Sequence, residues 1–170
     1  MQERTGIITF KGNLFTLLGP EVKPGSKAPD FTVVDNGLQP VSLATYQGKI
    51  KIISAVPSLD TPVCDTETRR FNQEASSLDN DIVILTVSLD LPFAQKRWCG
   101  AAGIDRVVTL SDYRDRSFAE AYGILIKELK LLTRAVFVID STDIVRYVQI
   151  VPEVTSEPDY AAVLAAAKSC

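Results

Sequence analysis

Three cysteines are the most reactive side chains of this 170-residue chain, and they lie far apart, at Cys64, Cys99 and Cys170. They form no C-x-x-C pair, which argues against both a thioredoxin-type dithiol and a paired-cysteine metal site. The chain has no histidine, which excludes Ser-His and Cys-His nucleophile pairs and His-containing zinc sites. Any catalysis therefore has to use cysteine, carboxylate, lysine, arginine or hydroxyl groups, or backbone dipoles.

The segment SLDTPVC (58–64) predicts that a helix begins just before Cys64. Pro62 suits the first helical position, where a missing N–H has no cost. Thr61 is then the N-cap, with a hydroxyl able to accept a hydrogen bond from an N–H of the first turn. Cys64 becomes the third helical residue, where unpaired N–H groups and the positive end of the helix dipole favour a thiolate over a thiol.

A buried, inert cysteine is the alternative interpretation of Cys64. Cys64, Phe71, Ala75 and Leu78 share one face of the predicted helix, so Cys64 also fits as a small core residue. The cap signals favour the reactive interpretation, because they place the sulfur beside unsatisfied donors. We expect a solvated helix face from the charged residues nearby, which are Asp60, Glu67, Arg69 and Arg70.

Strands and helices alternate around Cys64. Near-continuous apolar runs at 49–56 and 81–90 predict strands that are buried on both faces of a sheet. Each run is followed by a segment with helical character, at 61–78 and at 91–103, the second ending at a glycine. This alternation indicates an α/β sheet with helices on both faces.

The two ends of the chain add hairpins to this unit. Residues 135–151 predict a β-hairpin, and 158–168 predict a last amphipathic helix. Residues 7–19 predict another hairpin, turning at Gly12-Asn13. We therefore predict one domain over 1–170 with a thioredoxin-like fold, a mixed central sheet flanked by helices, and an N-terminal β-hairpin extension.

Composition restricts the partners and the compartment. The net charge is −3 and the sequence pI is about 5.0, which argues against nucleic acid or an anionic membrane as partner. No apolar run approaches the ~20 residues of a membrane helix, and the N-terminal segment has no signal-peptide pattern. We expect a cytoplasmic protein. Disulfides are rare in the cytoplasm, and those that form there are usually catalytic or redox-sensing.

The segment VPSLDTPVC (56–64) resembles the peroxidatic-cysteine motif P-x-x-x-T-x-x-C of peroxiredoxins, in the version used by the thiol peroxidase subfamily of atypical 2-Cys peroxiredoxins. The segment LPFAQKRWCG (91–100) resembles that subfamily's second helix, which carries its resolving cysteine. Further matching blocks follow the subfamily's order, and they are KGNLFTLLG, KAPDFTVVDN, VVTLSDYRDRSF, TRAVFVID and VPEVTSEPDY. The resemblance covers nearly the whole chain.

The resemblance implies a role for each of five residues. Cys64 matches the peroxidatic cysteine and Cys99 the resolving cysteine. Thr61 matches the threonine that bonds thiolate and peroxide, and Pro57 matches the proline that shields the pocket. Arg134 matches the arginine whose charge stabilises the thiolate.

The same resemblance implies an activity and partners. Hydrogen peroxide and alkyl hydroperoxides would be reduced to water and alcohols through a sulfenic acid on Cys64. Cys99 would resolve this acid as an intrachain disulfide, which thioredoxin would recycle. The family also implies a homodimer and the use of no metal, flavin or haem.

Three matters stay open in the sequence. Between Tyr122 and Arg134, GILIKELKLLT is shorter than the family's loop and lacks its glycines, so the loop shape and peroxide preference are undetermined. A thiol-disulfide oxidoreductase acting on proteins is disfavoured by the absent C-x-x-C, and a silent thioredoxin-like binding module by the joint presence of Thr61, Cys64 and Arg134. We expect no role for Cys170, because chain ends are usually mobile.

Overall fold

The computed structural model describes residues 1–170, which form two β-sheets and four α-helices. The strands are β1 (Glu3–Phe10), β2 (Asn13–Leu18), β3 (Val33–Val34), β4 (Pro40–Val41), β5 (Ile50–Ala55), β6 (Ile82–Ser88), β7 (Val108–Ser111), β8 (Leu125–Ile126), β9 (Ala135–Ile139) and β10 (Val145–Ile150). The α-helices are α1 (Pro62–Ala75), α2 (Pro92–Ala102), α3 (Ser117–Ala121) and α4 (Tyr160–Lys168), and a 3-10 helix covers Leu43–Tyr46. No helix is long and apolar enough to span a bilayer.

The main sheet has seven strands in the order β10-β9-β5-β6-β7-β3-β4. Strands β5, β6 and β7 are parallel, whereas β9 pairs with β5 in the antiparallel direction. The two predicted buried strands are thus β5 and β6, at the centre of the sheet. Because parallel strands end at the same edge, the loops that lead from β5 into α1 and from β6 into α2 lie side by side.

Both faces of this sheet are covered, as predicted. Ile52 of β5 packs with Phe71 of α1 and Val163 of α4 on one face. Its neighbour Ile53 belongs to a larger cluster on the other face, which includes Phe118 of α3. Successive residues of a strand point to opposite faces, so the continuous apolar run of β5 serves two cores. The predicted mixed sheet flanked by helices is confirmed.

The N-terminal hairpin is present, but its turn is Lys11-Gly12 rather than the predicted Gly12-Asn13. Both turn residues have positive φ, 51° for Lys11 and 80° for Gly12. This pair of left-handed conformations is that of a type I′ turn, which matches the twist of the flanking strands. Asn13 instead begins β2, where it pairs with Phe10.

Strand β8 was not predicted, and it fastens the hairpin to the rest of the chain. It lies in the segment GILIKELKLLT and pairs with β2 through Leu17–Ile126 and Leu18–Leu125. Ile126 N–H donates to the Leu131 carbonyl at 2.8 Å, so the loop before Arg134 folds back on itself. A strand of two residues leaves no periodicity to detect in a sequence.

The base of the hairpin is packed against the end of α3 through two glycines. A Cβ atom on Gly123 would lie 2.0 Å from the Pro20 carbonyl oxygen, so no larger residue fits there. Arg4 Nε donates to the Gly19 carbonyl at 3.0 Å, and Arg4 Nη2 donates to the Gly123 carbonyl. The hairpin is therefore held at its base, and β8 holds it along β2.

Candidate active site

Cys64 lies in the first turn of α1, as the sequence predicts. Thr61 is the N-cap with extended backbone angles (φ −92°, ψ 147°), and Pro62 is the first helical residue. Cys64 is completely buried and packs with Val56 and Leu59, with Trp98 at the margin. Its sulfur is thus removed from bulk water at the amino end of a helix.

The Thr61 hydroxyl does not cap the helix as expected. It donates to the Ser58 carbonyl at 2.9 Å instead, and Thr61 N–H donates to the same oxygen at 3.2 Å. The tight turn from Ser58 to Thr61 brings this carbonyl close, and the Thr61 hydroxyl accepts nothing from the first helical turn. Thr61 nevertheless lines a cavity that Arg134 also lines.

Asp90 fixes this turn, a role that the sequence analysis missed. Its carboxylate accepts hydrogen bonds from Ser58 Oγ at 2.7 Å, from Leu59 N–H at 2.8 Å and from Ser88 Oγ at 2.8 Å. Asp90 follows β6 and the turn follows β5, so the parallel pairing of these strands brings them together. The sequence shows that Asp90 follows the strand β6, but it does not show which groups Asp90 binds.

Arg134 is the charged group nearest to the Cys64 sulfur. Its Nη2 donates to Cys64 Sγ at 3.2 Å, its Nη1 to Glu67 Oε2 at 2.5 Å, and its Nε to the Val154 carbonyl at 2.8 Å. Only 2% of the Arg134 side chain is exposed. Three acceptors in different directions fix the planar guanidinium, whose donors form a rigid fork.

Glu67 was predicted to be solvated, and this prediction was wrong. The residue is completely buried, and it also accepts a hydrogen bond from Ser54 Oγ at 2.7 Å. Positions three and four apart share one face of a helix, so Glu67 and Thr68 lie on the same face as Cys64 and Phe71. The sequence contained this signal, but the charge of Glu67 concealed it.

The other charged residues of that set are exposed, as expected. Asp60 lies at the surface, and Arg69 and Arg70 form ion pairs on α1 with Asp65 and Glu74. Such surface pairs contribute little to stability.

Burial and pairing act against each other at the Arg134–Glu67 pair. Burial disfavours the charged guanidinium, but the attraction of Glu67 and Cys64 outweighs it and raises the pKa of Arg134. Burial raises the pKa of Glu67, while Arg134 and the Ser54 hydroxyl act in the opposite direction. A fixed positive charge therefore stands beside the Cys64 sulfur at every physiological pH.

A cavity of about 350 Å³ opens beside these groups. Its wall is mainly apolar and comes from the hairpin tip, the turn before α1, the loop before β9 and the segment after β10. The lining residues are Phe10, Lys11, Pro57, Ser58, Thr61, Pro62, Val63, Leu131, Arg134, Val154 and Thr155. The volume is in the range of small-molecule sites, and the apolar wall fits a substrate with an organic substituent.

Cys99 lies in a different setting, within α2. It is half-buried, and its Sγ is 3.4 Å from Thr109 Oγ1 on β7. Burial raises the pKa of Cys99, which favours the neutral thiol. All three cysteines are free. The structure thus brings Pro57, Thr61, Cys64 and Arg134 together, whereas Cys99 contacts none of them through a hydrogen bond.

Trp98 connects the two cysteine-bearing helices. Its Nε1 donates to Asp65 Oδ2 at 3.3 Å, and its ring lies 5.8 Å from the Arg69 guanidinium carbon. Arg69 also pairs with Asp65 and donates to the Ala102 carbonyl at 3.3 Å. We call Asp65, Arg69 and Trp98 the latch, because they join the first turn of α1 to the end of α2.

The arrangement around Cys64 favours nucleophilic chemistry by a thiolate. A fixed cation and the helix amino end both stabilise negative sulfur. Thr61 and Arg134 line the cavity, whereas the buried Cys64 is not part of its wall. No group of histidine, cysteine, aspartate or glutamate side chains comes together in a way that would hold a metal ion.

Comparisons with known proteins agree with this chemistry. The redoxin family profile matches residues 23–164. A thiol peroxidase of Halalkalibacterium halodurans is 59% identical over 162 residues, covering 95% of this chain and 97% of the relative. A thiol peroxidase of Bacillus subtilis is 57% identical over 162 residues, covering 95% and 96%.

Solved structures show the same similarity. A crystal structure of a peroxiredoxin-like protein from Aquifex aeolicus superposes with a TM-score of 0.90 at 43% identity, covering 99% of both chains. A thiol peroxidase from Chromobacterium violaceum superposes with a TM-score of 0.85 at 19% identity, covering 95% of both. Because the identity to the second structure is only 19%, this similarity supports the fold alone.

Proposed function

The chain belongs to the redoxin family and, within it, to the thiol peroxidases, and on that premise we propose that Cys64 is the thiolate that reduces the peroxide. The observation that carries this proposal is the hydrogen bond of 3.2 Å from Arg134 Nη2 to the buried Cys64 Sγ. Hydrogen peroxide and alkyl hydroperoxides are the substrates. The apolar wall of the cavity supports the second class.

In the first step the Cys64 sulfur attacks the terminal peroxide oxygen. An S–O bond forms and the O–O bond breaks, so the sulfur is oxidised to a sulfenic acid. The leaving RO⁻ takes a proton and departs as water or an alcohol. Negative charge develops on both oxygens, and the donors nearby are Arg134 and the backbone N–H of Cys64. The Thr61 hydroxyl, which donates to the Ser58 carbonyl in the structure, turns toward the peroxide to add a third donor.

In the second step Cys99 resolves the sulfenic acid. Its sulfur displaces hydroxide from Cys64, the hydroxide leaves as water, and a Cys64–Cys99 disulfide remains. Thioredoxin then reduces this disulfide by exchange with its own dithiol. A raised Cys99 pKa supports this order, because a neutral thiol does not compete for peroxide.

Local opening has to precede that second step. A disulfide requires Cα atoms within about 7 Å, and in the structure Cys64 is enclosed while Cys99 Sγ lies against Thr109. The segments that open are the first turn of α1, at 61–65, and the end of α2, at 98–103. Gly100 and Gly103 in the second segment lower the cost of unwinding.

The protein is a cytoplasmic homodimer in this proposal. Thiol recycling by thioredoxin requires a reducing compartment. Leu91, Phe93 and Tyr113 expose 52%, 66% and 36% of their surface. They come after β6 and β7, at the carboxyl ends of the parallel strands, where Cys64 also lies after β5. Apolar side chains exposed together favour an interface. Sedimentation velocity of Phe93→Glu tests the dimer, since this change should give monomers.

Steady-state turnover tests the function itself. Wild type with thioredoxin, thioredoxin reductase and NADPH should consume hydrogen peroxide and cumene hydroperoxide continuously. Cys64→Ser should consume neither, and Cys99→Ser should consume one equivalent and stop. Continuous turnover by Cys64→Ser would show that another group reduces the peroxide.

A further inference from the structure

The loop after β10 supplies one of the three acceptors of Arg134. Arg134 Nε donates to the Val154 carbonyl at 2.8 Å, and Val151 N–H donates to the Arg134 carbonyl at 3.0 Å. The direction in which the guanidinium faces Cys64 therefore depends on where residues 151–154 lie.

The tip of the N-terminal hairpin holds this loop in place. Thr9 N–H donates to the Pro152 carbonyl at 2.7 Å, and Val154 N–H donates to the Thr9 carbonyl at 2.9 Å. The Val154 side chain is buried in one cluster with Ile8 and Leu17 of the hairpin. The residue whose carbonyl holds Arg134 is thus part of the hairpin's own core.

Glu153 accepts four hydrogen bonds, two from the hairpin and two from its own loop. Its Oε1 accepts from Gly12 N–H at 2.9 Å and from Thr9 Oγ1 at 3.1 Å. Its Oε2 accepts from Thr155 N–H at 2.9 Å and from Thr155 Oγ1 at 2.6 Å. These bonds, above all those from Thr155, lower the pKa of Glu153 to about 2, so the carboxylate is ionised at neutral pH.

We propose that Glu153 is a positioning residue for peroxide reduction. Its carboxylate fastens the hairpin tip to the 152–155 loop, and this holds the Val154 carbonyl and, through it, the Arg134 guanidinium against Cys64. Phe10, which lies between Thr9 and Gly12 in the hairpin, and Thr155, in the loop, both line the cavity. The same bonds therefore fix one of its walls. The proposal rests on the proposed function in treating Cys64 as the attacking thiolate.

A purely structural role of Glu153 would have a different consequence. Losing surface hydrogen bonds would lower the stability of the hairpin but leave the rate constant of the folded enzyme unchanged. A positioning role lowers that rate constant, because a small displacement of a group that stabilises the transition state costs much rate.

Glu153→Gln is the test variant, because its amide keeps the size of the side chain but replaces one acceptor oxygen by a donor. Glu128→Gln is the matched control. The Glu128 carboxylate also accepts from a backbone N–H of the hairpin, that of Thr16, at 3.0 and 3.2 Å. It makes no bond to the 151–155 loop. Trp98, the sole tryptophan, packs beside Cys64, so stopped-flow fluorescence can report the oxidation of Cys64.

We expect the second-order rate constant for peroxide to fall about tenfold in Glu153→Gln and to stay within about twofold of wild type in Glu128→Gln. The pH midpoint of the rate profile should also move upward in Glu153→Gln only, because a displaced Arg134 stabilises the thiolate less. Equal rate constants and equal midpoints in the two variants would overturn the proposal.

Two further outcomes are distinguishable. If Glu153→Gln does not fold, Thr9→Val, which removes the hydroxyl that donates to Glu153 Oε1 at 3.1 Å and to the Pro152 carbonyl at 3.5 Å, should still lower the rate constant, and an unchanged value would refute the positioning role. If wild type itself shows no oxidation of Cys64 by peroxide, the proposed function fails and this proposal fails with it. A second-order rate constant for peroxide equal to that of wild type in Glu153→Gln contradicts this proposal but leaves the proposed function intact.

Discussion

Cys64 and Cys99 occupy opposite environments on neighbouring helices. Cys64 is in the first turn of α1, completely buried, with the Arg134 guanidinium 3.2 Å from its sulfur. Cys99 is in the later part of α2, half-buried, with only the neutral Thr109 hydroxyl at 3.4 Å. The first environment stabilises a charged sulfur and the second a neutral one.

This difference supports the two roles proposed for Cys64 and Cys99. The amino end of a helix and a fixed cation stabilise negative charge. Burial raises the pKa of Cys99, although the hydrogen bond with the Thr109 hydroxyl acts in the opposite direction. Sulfur nucleophilicity requires the thiolate. In the proposed order Cys64 attacks first, and Cys99 reacts as a nucleophile only after the opening of 98–103 has removed the burial that raises its pKa.

Arg134→Lys should have the largest effect on the Cys64 environment. Lysine keeps the positive charge but cannot serve Cys64, Glu67 and the Val154 carbonyl from one rigid plane. We expect the second-order rate constant for peroxide to fall about 100-fold, as measured by stopped-flow fluorescence. Rate constants equal to wild type would show that charge alone suffices.

Glu67→Gln should lower the stability of the folded protein, because Glu67 is the buried partner of Arg134. The change leaves the buried Arg134 charge without its carboxylate partner, and breaking a buried pair in this way costs about 3 kcal/mol. Glu74→Gln is the matched control, because Glu74 pairs with Arg70 on the same helix at the surface and such pairs contribute less than about 1 kcal/mol. Urea unfolding of both variants measures the difference, and equal losses would contradict a structural role for the buried pair.

Asp65→Asn should weaken the latch and bring the two cysteines together more easily. It removes the ion pair with Arg69 and weakens the acceptor of Trp98 Nε1. We expect disulfide formation to be about threefold faster, in keeping with the small energy of exposed ion pairs, and less sulfinic acid to form in excess peroxide. Quench-flow alkylation with mass analysis measures both, with Glu74→Gln again as control. A slower disulfide step would exclude the latch as a barrier to opening.

Cys170→Ser should have the smallest effect, because Cys170 lies at the exposed end of the chain. Its Sγ donates to the Ala166 carbonyl of α4 at 3.2 Å and contacts neither of the other cysteines through a hydrogen bond. Turnover with thioredoxin should equal that of wild type. A large loss would mean that Cys170, not Cys99, resolves Cys64.

The central elements of this molecule were predictable because local sequence determines them. The apolar runs of β5 and β6 and the Thr61-Pro62 start of α1 depend on burial and on caps. Strands β3, β4 and β8 have two residues each and depend on pairing partners that are distant in sequence.

The candidate site was predictable to a similar extent. Cys64 and Arg134 were identified by resemblance, and the structure places them in contact. Glu67 lies on the buried face of α1, but a charged side chain predicts exposure to solvent unless a buried partner such as Arg134 is known. Asp90 and Glu153 act on loops brought close by strand pairing and by the hairpin, and no spacing in the sequence encodes these contacts.

The intrachain pairing of Cys64 with Cys99 is tested most directly by non-reducing mass analysis of wild type after one equivalent of peroxide. We predict a monomer mass two hydrogens below the reduced protein and a single linked peptide pair that contains Cys64 and Cys99. The free thiol count should fall by two, and Cys170 should remain alkylatable. A dominant disulfide-linked dimer, or a linked pair containing Cys170, would contradict the intrachain pairing.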